Sequence, residues 1–164
     1  MPRTRDAVTN ALYVASGLEN KVGAGKLYSV HYTASVNTGS NLNLSLLTTA
    51  TNVAFVTARV VSTQIVAATL FEGTTVSNAG TTITAYNHRR DVATAPATVV
   101  THTPTITADG TGLISGFVVP ANAANYVPVV DVWMFKADTR YMIRVANSSG
   151  STASISVMLD WYEN

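Results

Sequence analysis

Nine carboxylates, three histidines and scattered serines are the groups of this chain able to move a proton or attack a carbonyl. General acid–base work needs two such groups converging in one cleft. Asp6, Asp91, Asp109, Asp131, Asp138, Asp160, Glu19, Glu72 and Glu163 stand singly along the chain, and Asp109 and Asp138 read as turn residues. No serine sits in a nucleophile elbow, since Ser115 lacks the flanking glycine spacing. His31, His88 and His102 share no helical metal spacing. His31 and His102 fall on different expected strands, which leaves a shared site open, but carboxylates are scarce and cysteines absent. The segment Val22 to Lys26, VGAGK, evokes a phosphate loop, yet the motif's first glycine is missing and Leu27 replaces the required Ser or Thr. The expectation is a protein that is not an enzyme and carries no cofactor and no metal.

The remaining charged grouping lies in residues 70 to 90, LFEGTTVSNAGTTITAYNHRR. A β-branched run ends in Leu70-Phe71-Glu72-Gly73, a turn follows at Ser77 to Gly80, and a polar strand, Thr81 to Tyr86, closes on Asn87, His88, Arg89 and Arg90. If that strand folds back beside residues 64 to 71, Glu72 meets Arg89 and Arg90. Exposed, such a pair contributes under ~1 kcal/mol; buried at a subunit contact, it sets register. Tyr86, Tyr126, Trp133, Trp161 and Tyr162 are the candidates for stacking a sugar, with core packing the default for the two tryptophans.

The elements that must position these groups follow from periodicity. Residues 26 to 164 form one β domain, and residues 1 to 25 differ from it. Val8, Ala11, Leu12, Ala15 and Leu18 fit a short helix over Asp6 to Glu19; an extended arm on a neighbour and a frayed terminus fit equally. From Lys26 the period becomes two, as Tyr28, Val30, Tyr32, Ala34 and Val36 alternate with polar residues. Leu42, Leu44 and Leu46 continue it beyond a turn at Asn37 to Asn41. Val53 to Val61 and Gln64 to Phe71 read as a hairpin, as do Arg140 to Ala146 and Ser154 to Tyr162. Between them come Thr98 to Thr103, a turn at Asp109-Gly110, Leu113 to Val119, and Val129 to Phe135. Nine or ten strands without a helix after residue 25 predict an all-β antiparallel sandwich or barrel, the class that includes jelly rolls.

Composition narrows the partners. Charged residues make up 12% of the 164, about half of the ~25% usual for a soluble domain, with Thr, Ser and Asn in their place. A free monomer carries a more charged skin, so much of this surface is expected to be covered by neighbouring subunits. The formal net charge is +1, and Lys21, Lys26 and Lys136 are the only lysines. That argues against direct binding to nucleic acid, which wants a basic stripe. No apolar run approaches a membrane span, and MPRTRDAVTN has no apolar secretory core. The expectation is a protein made in a cytoplasm, soluble until it meets its partner.

In sequence order, LYSVHYTASVNTG, LFEGTTVSNAGTTITAYNHRR, THTPTITADGTGLIS and ADTRYMIRVANSSGSTASISVMLDWYEN resemble a family of small tailed-phage structural proteins. The residues that carry the resemblance are Phe71-Glu72-Gly73, Gly80-Thr81, Asn87 to Arg90, Gly110-Thr111, Thr139 to Val145 and Trp161-Tyr162-Glu163. It runs from about Leu27 onward. Family members often carry a His-rich segment before the first strand, and here Leu18 to Gly25 holds no histidine. The resemblance implies a jelly-roll sandwich acting as a head decoration (cement) protein on the outer capsid surface of a virion. It also implies a homotrimer with the major capsid protein as partner. On this reading Arg3, Arg5, Glu72, Arg89 and Arg90 are candidate capsid or subunit contacts. The alternative is a tail-associated or fibre protein whose sandwich grips a host glycan.

Overall fold

Alternation of apolar and polar residues predicts which side chains point inward. In the first long strand Tyr28, Val30 and Val36 are buried while His31, Thr33 and Ser35 face solvent. The computed structural model describes residues 4–5, 12–13, 17–50, 54–91, 94–122 and 127–163. Its elements are β1 (Thr4–Arg5), β2 (Leu12–Tyr13), α1 (Gly17–Gly23), β3 (Leu27–Val36), β4 (Asn41–Leu47), β5 (Ala54–Ser62) and β6 (Val66–Glu72). There follow β7 (Thr75–Asn78), β8 (Thr81–Thr82), β9 (Tyr86–Asn87), β10 (Val99–His102) and β11 (Thr105–Ala108). The chain ends with β12 (Thr111–Val119), β13 (Val127–Met134), β14 (Arg140–Ala146) and β15 (Ala153–Glu163).

The eight long strands pair in a nested series. β3 pairs with β15, β4 with β14, β5 with β13 and β6 with β12, all antiparallel. The chain is thus one long hairpin, four strands out and four back, rolled into two sheets. Their orders are β12-β6-β14-β4-β10-β8 and β13-β5-β15-β3-β9. This is jelly-roll order in an all-β antiparallel sandwich, as expected. The core lies between the sheets, with Leu44, Leu46, Leu70 and Ile143 facing Val30, Val56, Ile155, Leu159 and Trp161.

Two expected hairpins are absent. β5 and β6 lie in different sheets, and so do β14 and β15. Their short connections arch across the sandwich, so the apolar faces of successive strands oppose each other instead of sharing one side. Buried Asn147 secures the second arch: its amide nitrogen donates to the carbonyls of Val36 (2.8 Å) and Ser151 (2.9 Å). The N-terminal expectation also changes. Of the readings left open for the N-terminus, a helix over Asp6 to Glu19 does not hold at Leu12 and Tyr13, which are extended and paired with Arg5 and Thr4; the helix begins only at Gly17. The rest of Asp6 to Ser16 lies outside the described residues.

Residues 73–110 form an elaborated tip on the long hairpin. β7 and β11 make a two-stranded ribbon. β10 extends one sheet beside β4, β8 extends it further, and β9 extends the other sheet beside β3. The tip therefore covers two edges that would otherwise offer unpaired backbone groups. Asp109 at its base bonds Arg144 on β14, Thr101 donates its hydroxyl to the Ala79 carbonyl within it, and Ser45 and Met142 of the β4–β14 sheet are fully buried. Among the described residues nothing pairs with the outer edges of β12 and β13.

Candidate functional site

The carboxylate singled out by sequence, Glu72, ends β6 beside β14. Its register partner there is Tyr141. Glu72 accepts hydrogen bonds from Lys136 Nζ (2.6 Å) and the Tyr141 hydroxyl (2.8 Å). The Tyr141 oxygen also accepts from the Lys136 backbone amide (2.9 Å), and its ring stacks on Phe135 at 3.7 Å. The expected cluster of Glu72 with Arg89 and Arg90 does not form. β6 is flanked by β12 and β14, whereas residues 81 and 82 pair with β10, so the two segments never become neighbours. Arg89 pairs with Asp91 and donates to the Gly23 carbonyl, and Arg90 lies over the Tyr86 ring. Arg3 and the side chain of Arg5 lie outside the described residues; the Arg5 backbone pairs with Leu12 in the short β1–β2 ladder.

A second polar joint sits at the base of the ribbon. Arg144 on β14 holds Asp109 through two bonds of 2.7 and 2.6 Å and also donates to Asn43 Oδ1. Thr74 donates its hydroxyl to the Asp109 carbonyl. The turn signal at Asp109 was readable in the sequence, but its arginine partner, thirty-five positions away, was not.

These partners set the acid response. The hydrogen bond from Lys136, then that from Tyr141, holds the Glu72 carboxyl below its ordinary value. The Arg144 guanidinium does the same for Asp109. Burial pushes the Tyr141 hydroxyl up to about 12, with Glu72 adding to the rise. Carboxyls with depressed folded-state values bind protons more weakly folded than unfolded. Their stabilisation is complete above the ordinary carboxylate range, ~4, and is lost as pH falls through the depressed folded values. The melting temperature is expected to fall more steeply below pH ~4 in the native chain than in E72Q/D109N. Parallel curves would refute this.

A third carboxylate, Glu163, is only 6% exposed at the end of β15. It accepts from the amides of Ala97 (2.9 Å) and Thr98 (2.7 Å) and from the Trp161 indole (3.2 Å). It ties the segment leading into β10 to the terminal strand.

The histidines do not converge. His88 Nε2 bonds Ser29 Oγ at 2.9 Å, His31 contacts Thr33, and His102 stacks on Tyr32 at 4.3 Å. A serine–histidine contact serves acyl transfer when a carboxylate orients the ring and donors await the oxyanion. Asp160, opposite Ser29 in register, is held instead by Arg59 at 2.6 Å. Among the described residues no three of His, Cys, Asp and Glu group as metal ligands. Two shallow grooves, of about 340 and 280 Å³, are lined by neutral residues: Val61, Ser62, Thr63, Asn122, Ser154 and Ser156 line the first, and Thr82 to Ala85 with Ala95, Pro96 and Thr98 to Val100 the second. Of the aromatic candidates, Trp161 is buried against Tyr28, Trp133 packs on the core and Lys21 lies over Tyr162. Tyr126 lies outside the described residues, and Tyr86 is 58% exposed.

Among the described residues no grouping of reactive side chains stands out, and the most distinctive surface feature is apolar. Ile65, Phe117 and Val118 are 59%, 37% and 62% exposed. Val118 pairs with Ala67, and Val66, next to Ile65, pairs with Val119, so Ile65 and Val118 lie at one end of the β6–β12 pair; Phe117, one step from Val118 and opposite Ala68, points to the other face of the same edge strand. β12 carries no charged residue, whereas β13 holds Pro128 and Asp131, two residues that discourage edge pairing. No family model, curated protein or solved structure matches the chain.

Proposed function

We propose that this chain is a viral structural protein, a decoration (cement) protein that binds and stabilises the assembled head of a tailed phage. The observation that carries the proposal is the set of exposed apolar residues at one end of the β6–β12 pair of a jelly roll, Ile65 beside β6 with Phe117 and Val118 on the two faces of edge strand β12. Long uncharged edges with exposed apolar residues invite another chain, and proteins that stay monomeric blunt them. The sequence resemblance to small phage structural proteins and the low charge content support the same reading.

In this proposal three copies associate through the β12 edge, and the trimer bridges neighbouring capsid subunits on the outer surface. Contacts made only by the assembled shell stabilise it by linkage against internal pressure. Residues 1 to 25 supply the arm that reaches the shell or a neighbour, with Arg3 and Arg5 meeting acidic surface. Light scattering of the native chain at micromolar concentration is expected to give an oligomer. I65D/V118D is expected to give a folded monomer whose melting temperature no longer depends on protein concentration and is lowered only by the lost association. A monomeric native chain would remove the trimer, and a protein mapped only to the tail of the virion would remove head decoration. Deleting residues 2–20 is expected to abolish head binding, and unchanged binding would remove the arm's role.

A further inference from the structure

Basic side chains are unevenly distributed on this sandwich. Arg59, Lys136 and Arg144 are matched inside the chain by Asp160, Glu72 and Asp109. Four of the ten Lys and Arg residues, Lys21, Lys26, Arg89 and Arg90, lie at one corner, where Lys21 sits over the Tyr162 ring and Arg89 pairs with Asp91. The backbone brings them together. Asn87 pairs with Tyr28 and its side-chain amide donates to the Gly25 carbonyl, the His88 amide bonds the Leu27 carbonyl, and Arg89 caps the end of α1 at the Gly23 carbonyl. The Lys26 amide bonds the Lys21 carbonyl, which closes the helix onto β3.

Among the described side chains, four cations at the corner stand against two carboxylates, Asp91 and Glu163. Asp91 pairs with Arg89 and is itself 72% exposed, while Glu163 is buried under three N–H donors. Among the described residues no carboxylate lies within ion-pair distance of Lys26 or Arg90, and both are exposed. The Arg90 guanidinium sits 5.5 Å from the centroid of Tyr86, an exposed aromatic ring on a strand edge. Tyrosine and arginine are the residue types that dominate binding hot spots, and an arginine held on a ring offers a pre-positioned cation.

We infer that this corner, centred on Tyr86 and Arg90 with Lys26 and Arg89 around it, docks an acidic segment of a partner protein. Charge complementarity selects an anionic partner, and the small number of cations favours protein over nucleic acid, whose phosphate tracks engage longer basic surfaces. The chemistry of the corner is independent of the head-decoration reading; only the partner's identity as an acidic patch of the capsid shell rests on it.

The test measures fluorescence anisotropy of a labelled oligoglutamate peptide, and separately of an oligothymidylate of equal charge, against the full chain at low and physiological salt. The native chain is expected to bind the peptide in a salt-sensitive manner. K26E/R90E is expected to weaken binding about tenfold or more, and Y86A to weaken it less, with melting temperatures unchanged because among the described residues neither Lys26 nor Arg90 holds an ion pair. Absence of peptide binding, or equal binding by K26E/R90E, would overturn the inference. Tighter binding of the oligothymidylate would overturn it in favour of nucleic acid. Charge-dependent peptide binding by a protein that fails to bind phage heads would retain the docking corner and reject the decoration role.

Discussion

Glu163→Ala is expected to lower the unfolding free energy by about 3 kcal/mol. The carboxylate receives three N–H donors in a buried setting, from Ala97, Thr98 and Trp161. Hydrogen bonds to a charged acceptor contribute about 1.5–3 kcal/mol each, and donors stranded without water each cost about 1–3, non-additively. Glu163→Gln keeps one carbonyl acceptor for Thr98 and Trp161 but turns an amide group toward the Ala97 amide. It is expected to lose about half as much. Urea denaturation checks this through the midpoint at an unchanged slope. Amide exchange adds a local readout, since the Ala97 and Thr98 amides lose protection before the core strands do. A loss under about 1 kcal/mol for the alanine variant would show that water replaces the carboxylate and that the clamp is dispensable.

Gly110→Ala is expected to cost about 3 kcal/mol, and Gly73→Ala only about 1. The two glycines have similar backbone angles, φ +85 and +75, and form opposing turns at the base of the β7–β11 ribbon. A methyl at Gly73 meets open space, so it carries only the penalty of a left-handed conformation. A methyl at Gly110 falls on the backbone of Glu72, Gly73 and Thr74, which cannot rotate aside as a side chain would. The turn must shift, and with it the bonds of Asp109 to Arg144 and Thr74. Comparing the pair separates close approach from backbone handedness. Equal losses in the two variants would remove close approach as the explanation.

Many of the residues that carry the family resemblance serve as internal fastenings. Glu72 bonds Tyr141, Arg144 bonds Asp109, and Trp161 bonds Glu163. Asn87 donates its amide to the Gly25 carbonyl, and Gly110 closes a turn against the Glu72 carbonyl. Such a pattern labels a fold and the joints that hold it. The contact surfaces proposed for assembly involve other residues, such as Ile65, Val118, Lys26 and Tyr86, which individually resemble ordinary surface positions. Their juxtaposition is what distinguishes them, and juxtaposition is not written in local sequence.

By itself the sequence determined the all-β class, most strand positions and the inward-facing side chains. Period-two alternation reports directly which side of a strand is dry, and Asp109-Gly110 announces its turn through backbone chemistry. Only the tertiary structure decided which strands pair. It turned two expected hairpins into arches, sent Glu72 to Lys136 and Tyr141 instead of to Arg89 and Arg90, and covered the β3 and β4 edges while leaving β12 without a partner on its outer side among the described residues. The reason is that every half-buried strand offers much the same apolar face and the same row of backbone donors and acceptors. Local residues select the side that is buried, whereas the choice of neighbour depends on how the whole chain rolls to bury all those faces at once.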